Sequence, residues 1–214
     1  MNALKQIIGG LCLCAAMGSC APAAQETASG TDTISVDVAS VVKENIMTRR
    51  SIRKYTDQPL SPDSVKLILE AGLLAPSSKR CTPWEFIAVE DKEVLARLAA
   101  CKTAGAKPVE GAALAIVVTA DMTLTDTWVE DASIAAILMQ LQAADLGLGS
   151  CWIQVRNRFG ADDEPAEDIV RSILGIPETM GVLCILSIGH KDEERKPFDE
   201  EKMMWEKVHI GKWE

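Results

Sequence analysis

The chain has little of what metal centres and nucleic-acid interfaces require. Its only histidines are His190 and His209, and no two cysteines have CxxC spacing, so a zinc site is not expected. Acidic residues outnumber basic ones, and the net charge of −9 argues against nucleic acid or anionic lipid as a charge-driven partner. No internal repeat or low-complexity tract interrupts the main part of the chain. What remains is about 175 residues, enough for one domain with a sizeable core.

The first residues have the pattern of an export signal. Lys5 precedes an apolar run over residues 7–17, which is too short to span a bilayer and has the length of a signal-peptide core. Gly18-Ser19-Cys20 then resembles a bacterial lipoprotein cleavage site. We therefore expect residues 1–20 to be a lipoprotein signal peptide and Cys20 to be lipidated, which would anchor the protein at the periplasmic or surface face of a bacterial membrane. Ordinary cleavage near Ala23-Ala24, with a soluble product, is the alternative.

Residues 21–38 are predicted to be a flexible tether, because they are rich in small and polar residues and show no periodic apolar pattern. Residues 39–214 are predicted to form the domain. Cys184 lies inside an apolar run at residues 182–188, which indicates a buried free thiol rather than a disulfide.

Local signals predict a mixed order of helices and strands. Ser61-Pro62-Asp63 combines a hydroxyl N-cap, a proline at the first helical position and an acid in the first turn. The segment 127–146 is apolar almost all round, so we expect it to pack against a partner chain as well as its own sheet. Helices are predicted at 38–47, 62–75, 91–100, 127–146 and 165–174, and strands at 86–89, 114–119, 151–155 and 182–188.

A basic segment follows the first predicted helix. Arg49, Arg50, Ser51 and Arg53 bring forked donors and a hydroxyl to neighbouring positions, which suits a phosphate monoester. A solvated basic turn is the alternative interpretation.

Three further segments contain candidate ligand-binding residues. The loop Ser77-Ser78-Lys79-Arg80-Cys81-Thr82-Pro83-Trp84 joins a helix to a strand, and its alternative role is purely structural. The segment 146–154, ending in Ile153-Gln154, carries two glycines that could simply cap a helix. The charged segment 189–198 contains Arg195 and Lys196, which could equally be solvated.

Asp131 opens the long apolar helix, where the helix dipole already explains an acid.

The order and spacing of these segments over residues 46–213 resemble the nitroreductase family of FMN-dependent oxidoreductases. The resemblance implies an α+β fold with a central, mainly antiparallel sheet flanked by helices, followed by an extended C-terminal tail. It also implies a homodimer with two FMN sites at its interface. The implied activity is reduction of a small organic acceptor, such as a nitroaromatic or quinone, by ping-pong electron transfer through FMN, with no fixed protein acid or base.

By the same resemblance, particular residues are expected to contact FMN. Arg49, Arg50 and Ser51 would contact the phosphate and ring edge, and Arg53 the ring or the substrate. Ser77, Ser78 and Arg80 would cradle the flavin, although Arg80 and Thr82 replace the asparagine and glutamine that are usual there. The main chain of Ile153 and Gln154 would approach flavin N5, and Arg195 or Lys196 would return to the phosphate.

Export raises a question about the electron donor. NAD(P)H, the usual donor of the family, is not expected outside the cytoplasm, so an anchored enzyme would draw electrons from another source. A non-catalytic flavin-binding or assembly lipoprotein on the same fold is the alternative from a different class, motivated by Arg80 and Thr82. Reductive dehalogenation or flavin-ring cleavage is the alternative among enzymes.

Overall fold

The computed structural model describes residues 38–213, with side chains described from residue 43. The predicted signal peptide, the lipidation site Cys20 and the tether up to residue 37 lie outside the described residues. Within residues 38–213, no helix combines the length and the apolar character that a membrane crossing needs.

Polar caps start two helices where the sequence predicts them. The Ser61 hydroxyl accepts the Ser64 N–H at 3.1 Å and caps the helix Pro62–Leu73, which has proline at its first position. The Asp91 carboxylate accepts the N–H groups of both Glu93 and Val94 at 3.0 Å and caps the helix Lys92–Ala99. The helices are α1 (Val38–Thr48), α2 (Pro62–Leu73), α3 (Lys92–Ala99), α4 (Trp128–Asp145) and α5 (Ala166–Leu174).

The strands form one four-stranded sheet in the order β1 (Trp84–Val89), β2 (Leu114–Asp121), β4 (Met180–Gly189) and β3 (Gly149–Gln154), and every pairing of neighbouring strands is antiparallel. This confirms the expected α+β architecture with its central antiparallel sheet. Most strand ends lie one or two residues beyond the predicted ones.

Two apolar cores lie on opposite faces of the sheet. On one face, Leu95 of α3 and Val170 of α5 pack with Val117 and Ile185 of the central strands. On the other, residues of α2 and α4 pack with alternate residues of the same strands. Because both faces are covered, β2 and β4 are buried along almost their whole length, and their sequences are continuous apolar runs rather than alternating ones.

The outer face of α4 and the chain after β4 remain uncovered in a single copy. On α4, Ile134 and Ile137 are each 38% exposed. Within residues 192–213 the helical structure is limited to short 3₁₀ turns, and Trp205 and Trp213 are 70% and 86% exposed. Exposed apolar side chains grouped in this way are typical of surfaces at which proteins associate.

Candidate functional site

The basic segment lies along the outer edge of β3. Ser51 forms a parallel bridge with Ser150, and the Ile52 N–H donates to the Ser150 carbonyl at 3.0 Å. Ile52 is buried against Gly149, where an added Cβ would lie only 2.7 Å from the Ile52 Cγ2 atom. Glycine is therefore required at this position for the segment to approach the strand, and the contact fixes where the flanking arginines emerge.

The chain after β4 turns back and lies against the same basic segment. The Asp192 N–H donates to the Lys54 carbonyl at 3.0 Å, and the Phe198 N–H donates to the Met47 carbonyl at 2.9 Å. Two segments that are more than 130 residues apart in sequence are thus held side by side by main-chain hydrogen bonds.

Glu193 links these two segments by charge. Its carboxylate accepts the Arg53 N–H, and its Oε2 atom lies 2.8 Å from the Arg195 Nη2 atom. The main-chain hydrogen bond from Arg53, followed by the Arg195 guanidinium, lowers the pKa of the Glu193 carboxyl below its usual value. The side chain is only 14% exposed, so Glu193 acts as a fixed anion that orients Arg195.

A cavity of about 610 Å³ lies between the two segments, within the range typical of small-molecule sites. A second cavity of about 200 Å³ adjoins it and shares Arg49, Arg50 and Arg195 with it. The smaller cavity has four arginines and no acid in its lining, which suits a doubly charged anion. The larger is lined by Thr48, Arg49, Arg50, Ile52, Ala144, Leu148, Ser150 and residues 191–195, and the smaller by Arg49, Arg50, Ser51, Arg53, Arg195 and Phe198.

Arg49 and Arg50 differ in what they contact, although both line the two cavities. The Arg50 Nη1 donates to the Lys196 carbonyl, and its guanidinium lies 4.6 Å from the centre of the Phe198 ring. The Arg49 side chain makes no hydrogen bond or ion pair with any residue that the structure describes. Arg50 therefore secures the C-terminal segment, and Arg49 is free to bind an anion.

The remaining predicted site residues do not line these two cavities. Lys196 contributes only its carbonyl, which Arg50 contacts. Ile153 is buried in the apolar core. The Gln154 side chain donates to the Arg156 carbonyl and accepts from the Trp152 indole, each at 2.9 Å. The loop containing Ser77, Ser78 and Arg80 lies elsewhere in the same chain, beside the start of α4.

The loop between α2 and β1 has an unusual backbone. Lys79, Arg80 and Thr82 have φ angles of 50°, 58° and 41°, in the left-handed region that residues other than glycine rarely adopt. The Ser77 hydroxyl accepts the Thr82 N–H at 2.9 Å, and the Asp131 Oδ1 atom accepts the Ser78 N–H at 2.8 Å. The sequence indicates a turn here, but not which contacts maintain it.

Sequence reasoning missed several residues of the cavity wall. Ser150 lies within the glycine-rich segment, but only its register with Ser51 places it in the site. Glu193 lies in a run of charges that suggested a solvated stretch. Phe198 stands in the sequence at the end of a charged C-terminal segment. None of the three carries a local signal, since each reaches the site through contacts distant in sequence.

Three cysteines of the described chain are buried in the core. Cys101, Cys151 and Cys184 are buried free thiols, as the sequence indicated for Cys184. Burial raises the pKa of each of the three thiols above its usual value, which keeps them protonated and poorly nucleophilic. Among the described residues, no cluster of histidine, cysteine and acidic side chains could hold a metal ion.

Comparison with known proteins identifies the family. The model of the nitroreductase family matches residues 46–128 and 102–190 of the chain. A protein of Archaeoglobus fulgidus, provisionally named NADH dehydrogenase/NAD(P)H nitroreductase, is 37% identical over 173 residues, which cover 78% of this chain and 96% of the relative. The chain therefore belongs to the nitroreductase family, and the resemblance drawn from its motifs is confirmed.

Solved structures agree with this assignment. An FMN-dependent nitroreductase of Clostridium difficile superposes with a TM-score of 0.78 at 48% identity, over 79% of this chain and 98% of that one. The NADPH:FMN oxidoreductase of Vibrio harveyi, solved with NAD⁺, gives a TM-score of 0.68 at 27% identity, over 80% and 77% of the two chains.

Proposed function

We propose that this protein is an FMN-dependent oxidoreductase that reduces a small organic acceptor, such as a nitroaromatic or a quinone. The observation that carries the proposal is the pair of adjoining cavities, one of which is lined by four arginines. Membership of the nitroreductase family and the FMN-dependent neighbour support the choice of FMN as the cofactor.

The residues present fit a flavin mononucleotide. The smaller cavity offers guanidinium groups and the Ser51 hydroxyl to a phosphate. Arg49 has no other partner in the described chain, and Glu193 holds Arg195 in place. The larger cavity provides the volume for the remainder of the ligand. When bound, FMN supplies the hydride and electron transfer, and the protein binds, orients and shields it.

A ping-pong reaction, in which donor and acceptor occupy the same site in turn, fits this arrangement. Arg53 lies at the wall of the arginine-lined cavity, where it would stabilise negative charge close to the bound ligand.

The complete site requires a second copy of the chain. The resemblance to the family leads us to expect residues 77–84 at the flavin, yet in one chain they line neither cavity. The exposed apolar side chains of α4 provide a surface on which a second copy can pack. We therefore propose a homodimer in which Ser77, Ser78 and Arg80 of one copy approach the cavity of the other.

The proposal is tested by isolating the protein and measuring flavin binding and reduction. Apoprotein titrated with FMN should become yellow and retain the flavin through gel filtration. It should then reduce a nitroaromatic or quinone under anaerobic conditions when a chemical or pyridine-nucleotide donor is supplied. Protein that stays colourless in excess FMN would contradict the proposal. Protein that binds FMN but reduces no acceptor would favour the alternative, a non-catalytic flavin-binding lipoprotein.

We further propose that Cys20 is lipidated and that NAD(P)H is not the donor in the cell. The sequence of residues 1–20 supports the first statement, and the compartment supports the second. Two or more acyl chains are enough for stable membrane attachment. The test is fractionation with metabolic fatty-acid labelling of wild type and Cys20→Ala. An unlabelled, soluble cytoplasmic wild type would contradict both statements and make NAD(P)H the expected donor.

A further inference from the structure

Asp131 is a buried acid with an uncommon set of partners. Its side chain lies in the first turn of α4 and is 3% exposed. Its Oδ1 atom accepts the Ser78 N–H at 2.8 Å, and the Thr127 hydroxyl donates to its Oδ2 atom at 3.4 Å. It forms no ion pair with a basic side chain in the part of the chain that the structure describes.

The helix dipole alone does not account for this burial. Glu130 lies in the same first turn and could interact with the same dipole, but it is exposed to solvent. Burying a carboxylate is costly unless hydrogen bonds replace its water. Asp131 recovers part of that cost by accepting the main-chain N–H of a residue 53 positions away.

The loop that Asp131 contacts needs an external support. Three of its residues, Lys79, Arg80 and Thr82, hold left-handed backbone conformations that persist only when surrounding contacts stabilise them. Inside the loop, Ser77 and Ser78 make local contacts. Their carbonyl groups accept main-chain N–H groups three residues further on, and the Ser77 hydroxyl accepts the Thr82 N–H. The contact with the Asp131 side chain differs from these, because Asp131 belongs to α4 and not to the loop.

We propose that Asp131 is the positioning residue for the loop of residues 77–82, and that its contact with the Ser78 N–H holds the loop in the shape that cradles the flavin. The inference rests on the proposed function, because the role of this loop in flavin binding is part of that proposal. It also connects the flavin site to the start of α4, the helix whose outer face is open to a second copy.

Trypsin provides a test that does not depend on flavin. Lys79 and Arg80 are exposed in a single copy. In the flavin-free dimer, at one protein concentration for all variants, the rate of cleavage after these two residues reports loop opening. The Asp131→Ala variant should be cleaved about tenfold faster, in keeping with the loss of a charge-assisted hydrogen bond. Glu130→Ala is the matched control, because it removes the same charge from the same turn, and its cleavage rate should equal that of wild type.

Two more variants separate the hydrogen bond from general destabilisation. Asp131→Asn keeps an oxygen that can accept the Ser78 N–H and should restore most of the resistance to trypsin. Ser78→Pro removes the donor instead; Ser77 already has the extended backbone that precedes proline (φ −136°, ψ 156°). It should open the loop as Asp131→Ala does, and combining the two should add little. This second route also serves if Asp131→Ala fails to fold.

FMN titration of the same variants completes the experiment. Asp131→Ala should raise the Kd for FMN and the KM for the acceptor about tenfold while kcat changes little, and Asp131→Asn should lie close to wild type. Cleavage and flavin affinity in Asp131→Ala that equal those of Glu130→Ala would overturn the proposal, as would an Asp131→Asn variant that behaves like alanine. If wild type binds no FMN, the proposed function fails, and the cleavage rates still decide whether Asp131 positions the loop.

Discussion

Replacing Arg49 with alanine is expected to weaken FMN binding and to leave riboflavin binding nearly unchanged. The Arg49 guanidinium has no hydrogen-bond or ion-pair partner among the described residues, so the substitution breaks no polar side-chain contact within them. Loss of a charge-assisted hydrogen bond costs about 1.5–3 kcal/mol, which is about 10- to 150-fold in Kd. Riboflavin lacks the phosphate, so the ratio of the two affinities isolates the phosphate contact.

Arg50→Ala should have a different effect, although the sequence predicts the same role for both arginines. This substitution removes the hydrogen bond to the Lys196 carbonyl and the cation–π contact with the Phe198 ring. A cation–π contact near the surface is worth about 0.5–1 kcal/mol. We therefore expect faster tryptic cleavage after Arg195 and a smaller loss of FMN affinity than Arg49→Ala causes.

The assay is fluorescence titration of apoprotein with FMN and with riboflavin, together with timed proteolysis. Arg97→Ala, an exposed position on α3, is the control for loss of one positive charge. The assignment of Arg49 to the phosphate would be refuted if Arg49→Ala weakened FMN and riboflavin equally, or weakened neither. Equal effects of Arg49→Ala and Arg50→Ala on both ligands would refute the distinction between the two arginines.

Three further outcomes follow from the contacts. Gly149→Ala places a methyl group 2.7 Å from the Ile52 side chain, so it should lower the free energy of unfolding by about 1–3 kcal/mol and weaken FMN binding. Gly111→Ala is the control, because an added Cβ there meets no atom within 4 Å, and it should change neither quantity. Calorimetry and FMN titration measure the two effects. The hydrogen bond from the Arg53 N–H lowers the pKa of Glu193, so the stabilising contribution of its carboxylate is present above the usual glutamate pKa and is lost as pH falls through the lowered pKa. The unfolding temperatures of wild type and Glu193→Gln should therefore differ near neutral pH and converge as pH falls below the usual glutamate pKa. Ile137→Glu should convert the expected dimer to monomer in sedimentation; a dimer at micromolar concentration would count against α4 as the interface.

Much of the fold could be predicted because its signals are local. Ser61-Pro62-Asp63 contains the cap, the first-position proline and the first-turn acid that start α2, and each acts within one helical turn. The apolar runs of β2 and β4 are long enough to indicate strands covered on both faces. The ends of these strands are predicted less accurately from the sequence. The residue pairs that extend β2 and β4 beyond the predicted ranges form only against the neighbouring strand.

Part of the wall of the candidate site could be predicted from its residues, but its arrangement could not. The composition of residues 49–53 indicates anion binding from chemistry alone. That Arg50 contacts a carbonyl 146 residues away is a property of the folded chain, and no pattern in the sequence encodes it. Similarly, Glu130 and Asp131 are neighbouring acids in one helical turn, and the sequence does not distinguish their roles. Asp131 is the buried one, because the loop of residues 77–82 packs against it.

The bridge between Ser51 and Ser150 has a consequence for solubility. β3 is the last strand of the sheet, and an uncovered edge would offer its main-chain groups to strands of other molecules. The segment of residues 49–53 covers part of that edge with three arginines, and positive charge disfavours pairing with a second, identical edge. Variants that detach this segment should therefore aggregate during refolding, even where the hydrophobic cores are intact.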